Sequence, residues 1–250
     1  MRTIAIATQK GGAGKTTTTV NLAAALGRSR RVLVIDMDPE ANASLWLGAR
    51  DVGPELLEVL SEGKPLADLV RSTEAKGVEL IASSTWLRRA DKALAGEPGA
   101  ETIFRRALAK LPRRWDVVLV DCTPWLGLLT ISALTACKEL VIPVQASTMD
   151  TKGLSNLMNS VDKIREALNP SLRPIAIVPN CVDERRAEDC RMVEEVRKHF
   201  PELATKFVIH QSAQLKEAPS YSQAIEQYAP TSRAAQEFRD LAAYISKRKG

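Results

Sequence analysis

Eight consecutive residues near the start of the chain, Lys10-Gly11-Gly12-Ala13-Gly14-Lys15-Thr16-Thr17, have the make-up of a phosphate cradle. Glycines let a backbone curl around phosphate oxygens, and a helix that begins at such a loop turns its unpaired N–H groups toward negative charge. Lys15 can reach the outer phosphates of a nucleotide, and the Thr16 hydroxyl can ligate Mg²⁺. The general pattern for these loops puts a glycine five residues before Gly14, where this chain has Gln9; a second lysine, Lys10, stands at the mouth of the loop instead. A ligand-free Gly/Lys-rich surface turn is the plain alternative, and the strand-like run before the loop and the Ala-rich helical run after it argue against that.

Three acids at the ends of two apolar runs fit the same chemistry. The apolar run Arg31–Ile35 ends in Asp36-Met37-Asp38, and Trp115-Asp116-Val117-Val118-Leu119-Val120 ends in Asp121. Ligands of open parallel sheets sit beyond the carboxyl ends of the strands, so these acids are aimed at the phosphate loop. An apolar strand capped by Asp121 is the pattern that holds Mg²⁺ through its water shell. Asp38 has a structural alternative, capping the start of a helix.

Placing these groups requires strands that alternate with helices. Short Val/Ile-rich runs occur at Thr3–Ala7, Arg31–Ile35, Val78–Ile81, Asp116–Val120, Glu139–Pro143, Pro174–Val178 and Phe207–Ile209. Helical periodicity occupies Thr16–Gly27, Glu101–Lys110, Leu128–Ala136, Lys152–Leu168, Ala187–His199 and Ser232–Arg248. Near-continuous apolar strands joined by helices predict an α/β fold, a mostly parallel twisted sheet of about seven strands covered by helices on both faces. Residues 48–77 read as a helical excursion around the amphipathic stretch Glu55–Leu60, and residues 83–100 are ambiguous. No repeat or linker interrupts the pattern, so residues 1–250 are expected to form one domain.

Composition sets limits on function. The chain has 250 residues, 45% of them hydrophobic and 26% charged, as a globular domain with a full core requires. A net charge of +5 allows contact with nucleic acid but does not demand it. Four cysteines without a C-x-x-C pair, and only two histidines, lack the spacing of a zinc site and suggest reduced thiols in a cytoplasmic protein. No apolar run approaches the length needed to cross a bilayer.

The loop K-G-G-x-G-K-T-T resembles the deviant Walker loop of the ParA/MinD family of P-loop ATPases. The resemblance implies ATP and Mg²⁺ as ligands, contacted by Gly11, Gly12, Ala13, Gly14, Lys15, Thr16 and Thr17, with Lys15 also catalytic. It further implies that Lys10 reaches across a homodimer interface to the partner's nucleotide. The stretch Asp36 to Ser44 is similar to the D-x-D-P-Q-G-N-A-T switch of ParA proteins, with Glu40 and Ala41 in place of Gln and Gly. By that likeness Asp38 orients the attacking water, and Asp36 joins Thr16 and Asp121 around the metal. Cys122 to Thr130 resembles the second switch, with Thr123 where a proline is common. Asn180, after the run Pro174–Val178, matches a residue that reads the adenine edge; an Asx-turn at a strand end is its structural alternative. Leu215-Lys216-Glu217-Ala218-Pro219-Ser220 and Tyr228-Ala229-Pro230-Thr231-Ser232-Arg233 are similar to late ParA motifs, which extends the likeness over nearly the whole chain and away from MinD.

For ParA proteins the resemblance implies non-specific DNA binding on the nucleoid and a ParB-like adaptor that stimulates ATP hydrolysis, in the service of positioning or segregating plasmid, chromosome or protein cargo. The family's arginines before L-x-E-A-P-S correspond here to Gln211 and Gln214, so the DNA-binding candidates become Arg185, Arg186, Lys216 and Lys247, with Arg191, Arg197, Lys198, Arg248 and Lys249 as further basic positions. The last helix lacks a bulky apolar face of its own to insert into lipid, so a membrane partner is not expected, and with the first strand-like run opening at Thr3 an N-terminal helix-turn-helix domain is not expected either. A MinD-like nucleotide-gated membrane or regulatory switch is the second reading. A metabolic P-loop enzyme is the third.

Overall fold

The computed structural model describes residues 1–146 and 151–248. Seven strands form one sheet: β1 (Arg2–Ile6), β2 (Val32–Asp36), β3 (Val70–Ser72), β4 (Val78–Ile81), β5 (Val117–Asp121), β6 (Glu139–Gln145) and β7 (Arg173–Asn180). Their order across the sheet is β3-β4-β2-β5-β1-β6-β7, parallel throughout except for the edge strand β3, which runs antiparallel to β4. Every residue of β2 and β5 is buried, as strands covered on both faces must be.

Helices α1 (Lys15–Gly27) and α11 (Arg233–Lys247) cover one face. In α11 the residues Ala235, Phe238, Leu241, Ala242 and Ile245 recur at core-facing spacing, and all are buried. Ser232 caps that helix by accepting a hydrogen bond from the Ala235 N–H at 3.1 Å. Helix α1 lies between α11 and the sheet, which is why its residues from Thr18 to Gly27 are buried on every side. The opposite face is covered by α3 (Glu55–Glu62), α5 (Ile103–Ala109), α6 (Leu128–Ala136) and α7 (Thr151–Ala167), around Leu56, Phe104, Leu134 and Leu157. Shorter helices α2 (Asn42–Trp46), α4 (Ala90–Ala93), α9 (Ala213–Glu217) and α10 (Ile225–Tyr228), together with α8 (Ala187–His199), complete the chain.

Two expectations are corrected. Phe207–Ile209 is not a strand of the sheet. The Ile209 N–H donates to the Pro179 carbonyl at 2.9 Å and the Val182 N–H donates to Ile209 at 3.1 Å, so the segment is a short splint alongside the end of β7. The seventh strand is instead β3, inside the region expected to be a helical excursion. With Val70 half-buried and Arg71 and Ser72 exposed, β3 carries too little apolar pattern to stand out.

Candidate nucleotide site

β1 delivers the chain to the phosphate loop, and Gly14 turns it into α1 from the left-handed region, at φ +83°. A Cβ on Gly14 would lie 2.3 Å from Asn180 Nδ2, so close packing and backbone angle both demand glycine there. Gly12 has φ +75°, whereas a side chain on Gly11 would meet open space. The N–H groups of the first turn of α1 remain for a ligand, since Gly14 offers no side-chain cap.

Strands β2 and β5 are neighbours, and their register pairs Asp36 directly with Asp121 at the carboxyl end of the sheet. Both carboxylates are fully buried. Asp121 accepts hydrogen bonds from Thr16 Oγ1 and Thr19 Oγ1, each at 2.8 Å. Burial, followed by the charge of Asp36, pushes the Asp121 carboxyl above the usual range. Asp36 accepts from the Asp38 N–H at 3.0 Å and from the N–H and hydroxyl of Ser44 at 2.9 and 2.7 Å, and burial likewise raises its affinity for a proton. The hydrogen bonds of Asp36 thus brace the segment carrying Asp38. Lys15, also buried, is lowered by that burial and supported by the charges of Asp121 and Asp38.

Asp38 is buried, and its Oδ1 accepts from the Glu40 N–H at 3.0 Å. The helix-cap alternative is not realised, because α2 starts at Asn42 behind Ala41. Ser83 donates to the Asp38 carbonyl at 2.6 Å and its N–H donates to Ser44 Oγ at 2.8 Å, tying the end of β4 into the same network. A cleft of about 610 Å³ opens in front of these groups, lined among others by Gly14, Lys15, Thr16, Asp38, Trp46 and Pro124. Thr123, at the position where the family often has proline, bonds to the Trp125 carbonyl at 2.9 Å and lies 2.8 Å from Thr130 Oγ1, so hydrogen bonds stiffen the turn a ring would have held.

The expected site residues do not all converge. Lys15, Thr16 and Asp38 line the cleft, and the fully buried Asp121 and Asp36 stand behind them, bonded to Thr16 and to the Asp38 N–H. Lys10 is exposed and lines a separate cavity of about 260 Å³ on the other side of the loop, with Gln9, Val144 and Leu154. Asn180 is buried, with its amide Nδ2 donating to Thr18 Oγ1 at 3.2 Å and to the Ala13 carbonyl at 3.4 Å. In this structure it is a strut beneath the phosphate loop.

The basic candidates are dispersed. Arg185 grips Asp183 through two bonds of 2.8 Å, which holds that carboxyl down to about 2, and Arg186 lies 4.0 Å from the same group. Lys216 is exposed on α9, and Lys247 on the last turn of α11. Arg197 and Arg248 donate to backbone carbonyls, of Lys206 at 2.7 Å and of Ile175 at 2.9 Å, and serve the fold. Lys249 lies outside the described residues.

Thr19, Ser44 and Ser83 were not expected at the site. Thr19 had a signal, since it stands one helical turn beyond Lys15 on the face that also carries Thr16. Ser44 and Ser83 had none, because their meeting with Asp36 and Asp38 depends on how three segments fold together.

A family model described as an AAA domain matches residues 1–174. The sporulation initiation inhibitor protein Soj of Bacillus subtilis is 37% identical over 246 residues, covering 97% of each chain. The chromosome-partitioning ATPase Soj of Thermus thermophilus is 39% identical and covers 99% of this chain and 96% of its own. The chain belongs to the Soj/ParA family of P-loop ATPases. Among solved structures, a cobyrinic acid a,c-diamide synthase from Mycobacterium smegmatis with bound ADP and magnesium superposes with a TM-score of 0.85 at 28% identity, over 98% of this chain and 94% of the other. The Soj/ParA fold here therefore extends to enzymes of other chemistry, and closer sequence identity lies with the Soj proteins.

The site also passes a physical test for the ligands of Soj/ParA ATPases. A hard divalent cation favours oxygen donors, and the Thr16 hydroxyl stands at the cleft with the buried Asp121 carboxylate directly behind it. On the loop, a Cβ at Gly11 would meet nothing within 4 Å, and the first-turn N–H groups of α1 have no side-chain cap from Gly14, as an anion cradle requires.

Proposed function

We propose that this chain, acting as one P-loop ATPase domain over residues 1–250, binds Mg·ATP and pairs face to face with a second copy. The paired form holds DNA without sequence preference in the cytoplasm, on the nucleoid. A ParB-like adaptor, carried by plasmid, chromosome or protein cargo, accelerates a slow hydrolysis and so releases it. The observation that carries this reading is the division of the two lysines: Lys15 is buried at the cleft beside Asp121, and Lys10 is exposed on the far side of the same loop.

The loop backbone and Lys15 would hold the phosphates, and Thr16 and Asp121 would hold Mg²⁺, which when bound would supply positive charge to the transferred phosphoryl group. Asp38, kept beside Lys15 by the Asp36–Ser44–Ser83 network, orients the attacking water. Lys10 supplies a positive charge to the nucleotide of the partner subunit, where phosphoryl transfer gains from preorganised cations. Asn180 steadies the loop and, once nucleotide is bound, lies close enough to the loop to meet the base edge.

Nucleotide-binding assays and size-exclusion chromatography with Mg·ATP test the division of labour. Lys15→Ala is expected to lose ATP binding. Lys10→Ala is expected to keep it while running as a monomer, and Asp38→Ala to dimerise with ATP but not turn it over. A Lys10→Ala protein that still dimerises, or an Asp38→Ala protein with normal turnover, defeats the corresponding assignment.

A further inference from the structure

The parallel strands all begin at the pole opposite the nucleotide cleft, and helices return there with their carboxyl ends. Arg2, Glu139 and Arg173 open β1, β6 and β7, while Arg30 and Lys138 sit in the turns after α1 and α6. With Arg248 these residues line an open groove of about 570 Å³, five cationic side chains facing a single carboxylate. That carboxylate, Glu139, is already neutralised by Arg2, whose Nη2 and Nε donate to it at 2.7 and 3.1 Å. Arg30, Lys138 and Arg173 have no ion-pair partner among the described residues.

Helix carboxyl ends favour cations by about 0.3–1 kcal/mol each, which accounts for basic residues scattered over this pole. It does not account for three unpaired cations around one groove, where each repels the others until an anion arrives. We propose that this groove binds the phosphodiester backbone of duplex DNA. The inference rests on the DNA-binding reading above and assigns that contact to a surface. Long cationic side chains on the walls of an open groove suit an extended polyanion, whereas a lone phosphate wants a backbone cradle such as the loop at Gly11–Gly14. Of the large apolar side chains exposed among the described residues, only Met1 belongs to this pole, which leaves little to insert into a lipid surface. Lys247 extends the basic track from the last turn of α11, while Arg185, Arg186 and Lys216 lie toward the other end of β7. A dimer joined across the cleft would turn its two grooves to opposite ends, so that each groove would take a separate DNA segment.

Anisotropy of a labelled duplex with Mg·ATP, across a salt series, tests the assignment on the full chain. Each lost phosphate contact lowers the slope of log affinity against log salt by about 0.9, so Arg30→Ala/Lys138→Ala/Arg173→Ala is expected to lose about 2.7 of slope per bound chain. Its thermal melt and ATP turnover should match the parent, and Arg30→Lys/Arg173→Lys should keep the parent slope. An unchanged slope in the triple alanine variant, with a loss in Arg185→Ala/Arg186→Ala/Lys216→Ala, overturns the groove and leaves the DNA-binding reading standing. Failure of the unaltered chain to bind the duplex in any nucleotide state removes both. Groove-dependent pelleting with phosphatidylserine vesicles in the absence of duplex binding would assign the surface to lipid headgroups instead.

Discussion

Asp36 and Asp121 face each other in register on adjacent strands, an arrangement that burial and mutual repulsion both disfavour. It persists because each acid is solvated by donors of its own: Thr16 and Thr19 for Asp121, the Ser44 side chain and two backbone N–H groups for Asp36. A few residues on, Ala41 occupies the left-handed region at φ +53°, where the resembling switch of ParA proteins has glycine. An L-residue there costs about 1–2 kcal/mol, partly offset because alanine restricts the unfolded chain more than glycine does. Ala41→Gly is therefore expected to raise stability by up to about 1 kcal/mol in urea denaturation. A loss of stability would mean that Ala41 is not held at positive φ in solution.

At the scale of elements, α1 has two duties, presenting its first turn to the loop and filling the layer between the sheet and α11. Position and function are thereby coupled, since loosening α11 loosens the helix that carries Thr16 and Thr19. Phe238, 1% exposed, is the largest side chain on the buried stripe of α11. Phe238→Ala is expected to cost about 3–5 kcal/mol by denaturant titration and to weaken ATP binding without touching the site. The α11 stripe was legible because Phe238, Leu241 and Ile245 repeat at helical spacing. β3 was not, because one half-buried valine followed by two exposed residues has no period to read. Phe207–Ile209 misled for the opposite reason: three residues of β-favouring pattern dock by two hydrogen bonds on the end of β7 and never join the ladder.

The whole molecule has two chemically distinct poles, because the six parallel strands put their carboxyl ends on one side and their amino ends on the other, with only β3 reversed. Acids, the glycine loop and Lys15 gather at the first; unpaired arginines and a lysine gather at the second. A ligand that binds only the folded cleft must stabilise the fold as a unit. Mg·ATP at a hundred times its Kd is expected to add about 2.7 kcal/mol, read as a rise in Tm that Lys15→Ala abolishes. An equal rise in that variant would place the nucleotide elsewhere. Local pattern determined the glycine loop, the acids at the ends of apolar runs and the alternation of strand and helix, since each is specified by neighbours a few residues apart. Tertiary structure alone decided that Ser44 and Ser83 brace Asp36 and Asp38, that Asn180 supports the phosphate loop at Ala13, that Lys10 and Lys15 part to opposite sides of one loop, and that cations from five separate segments share one groove. Ser83 and Asp38 are 45 positions apart, Asn180 and Ala13 167, Arg2 and Glu139 137, and only the packing of the sheet brings them within a few ångströms.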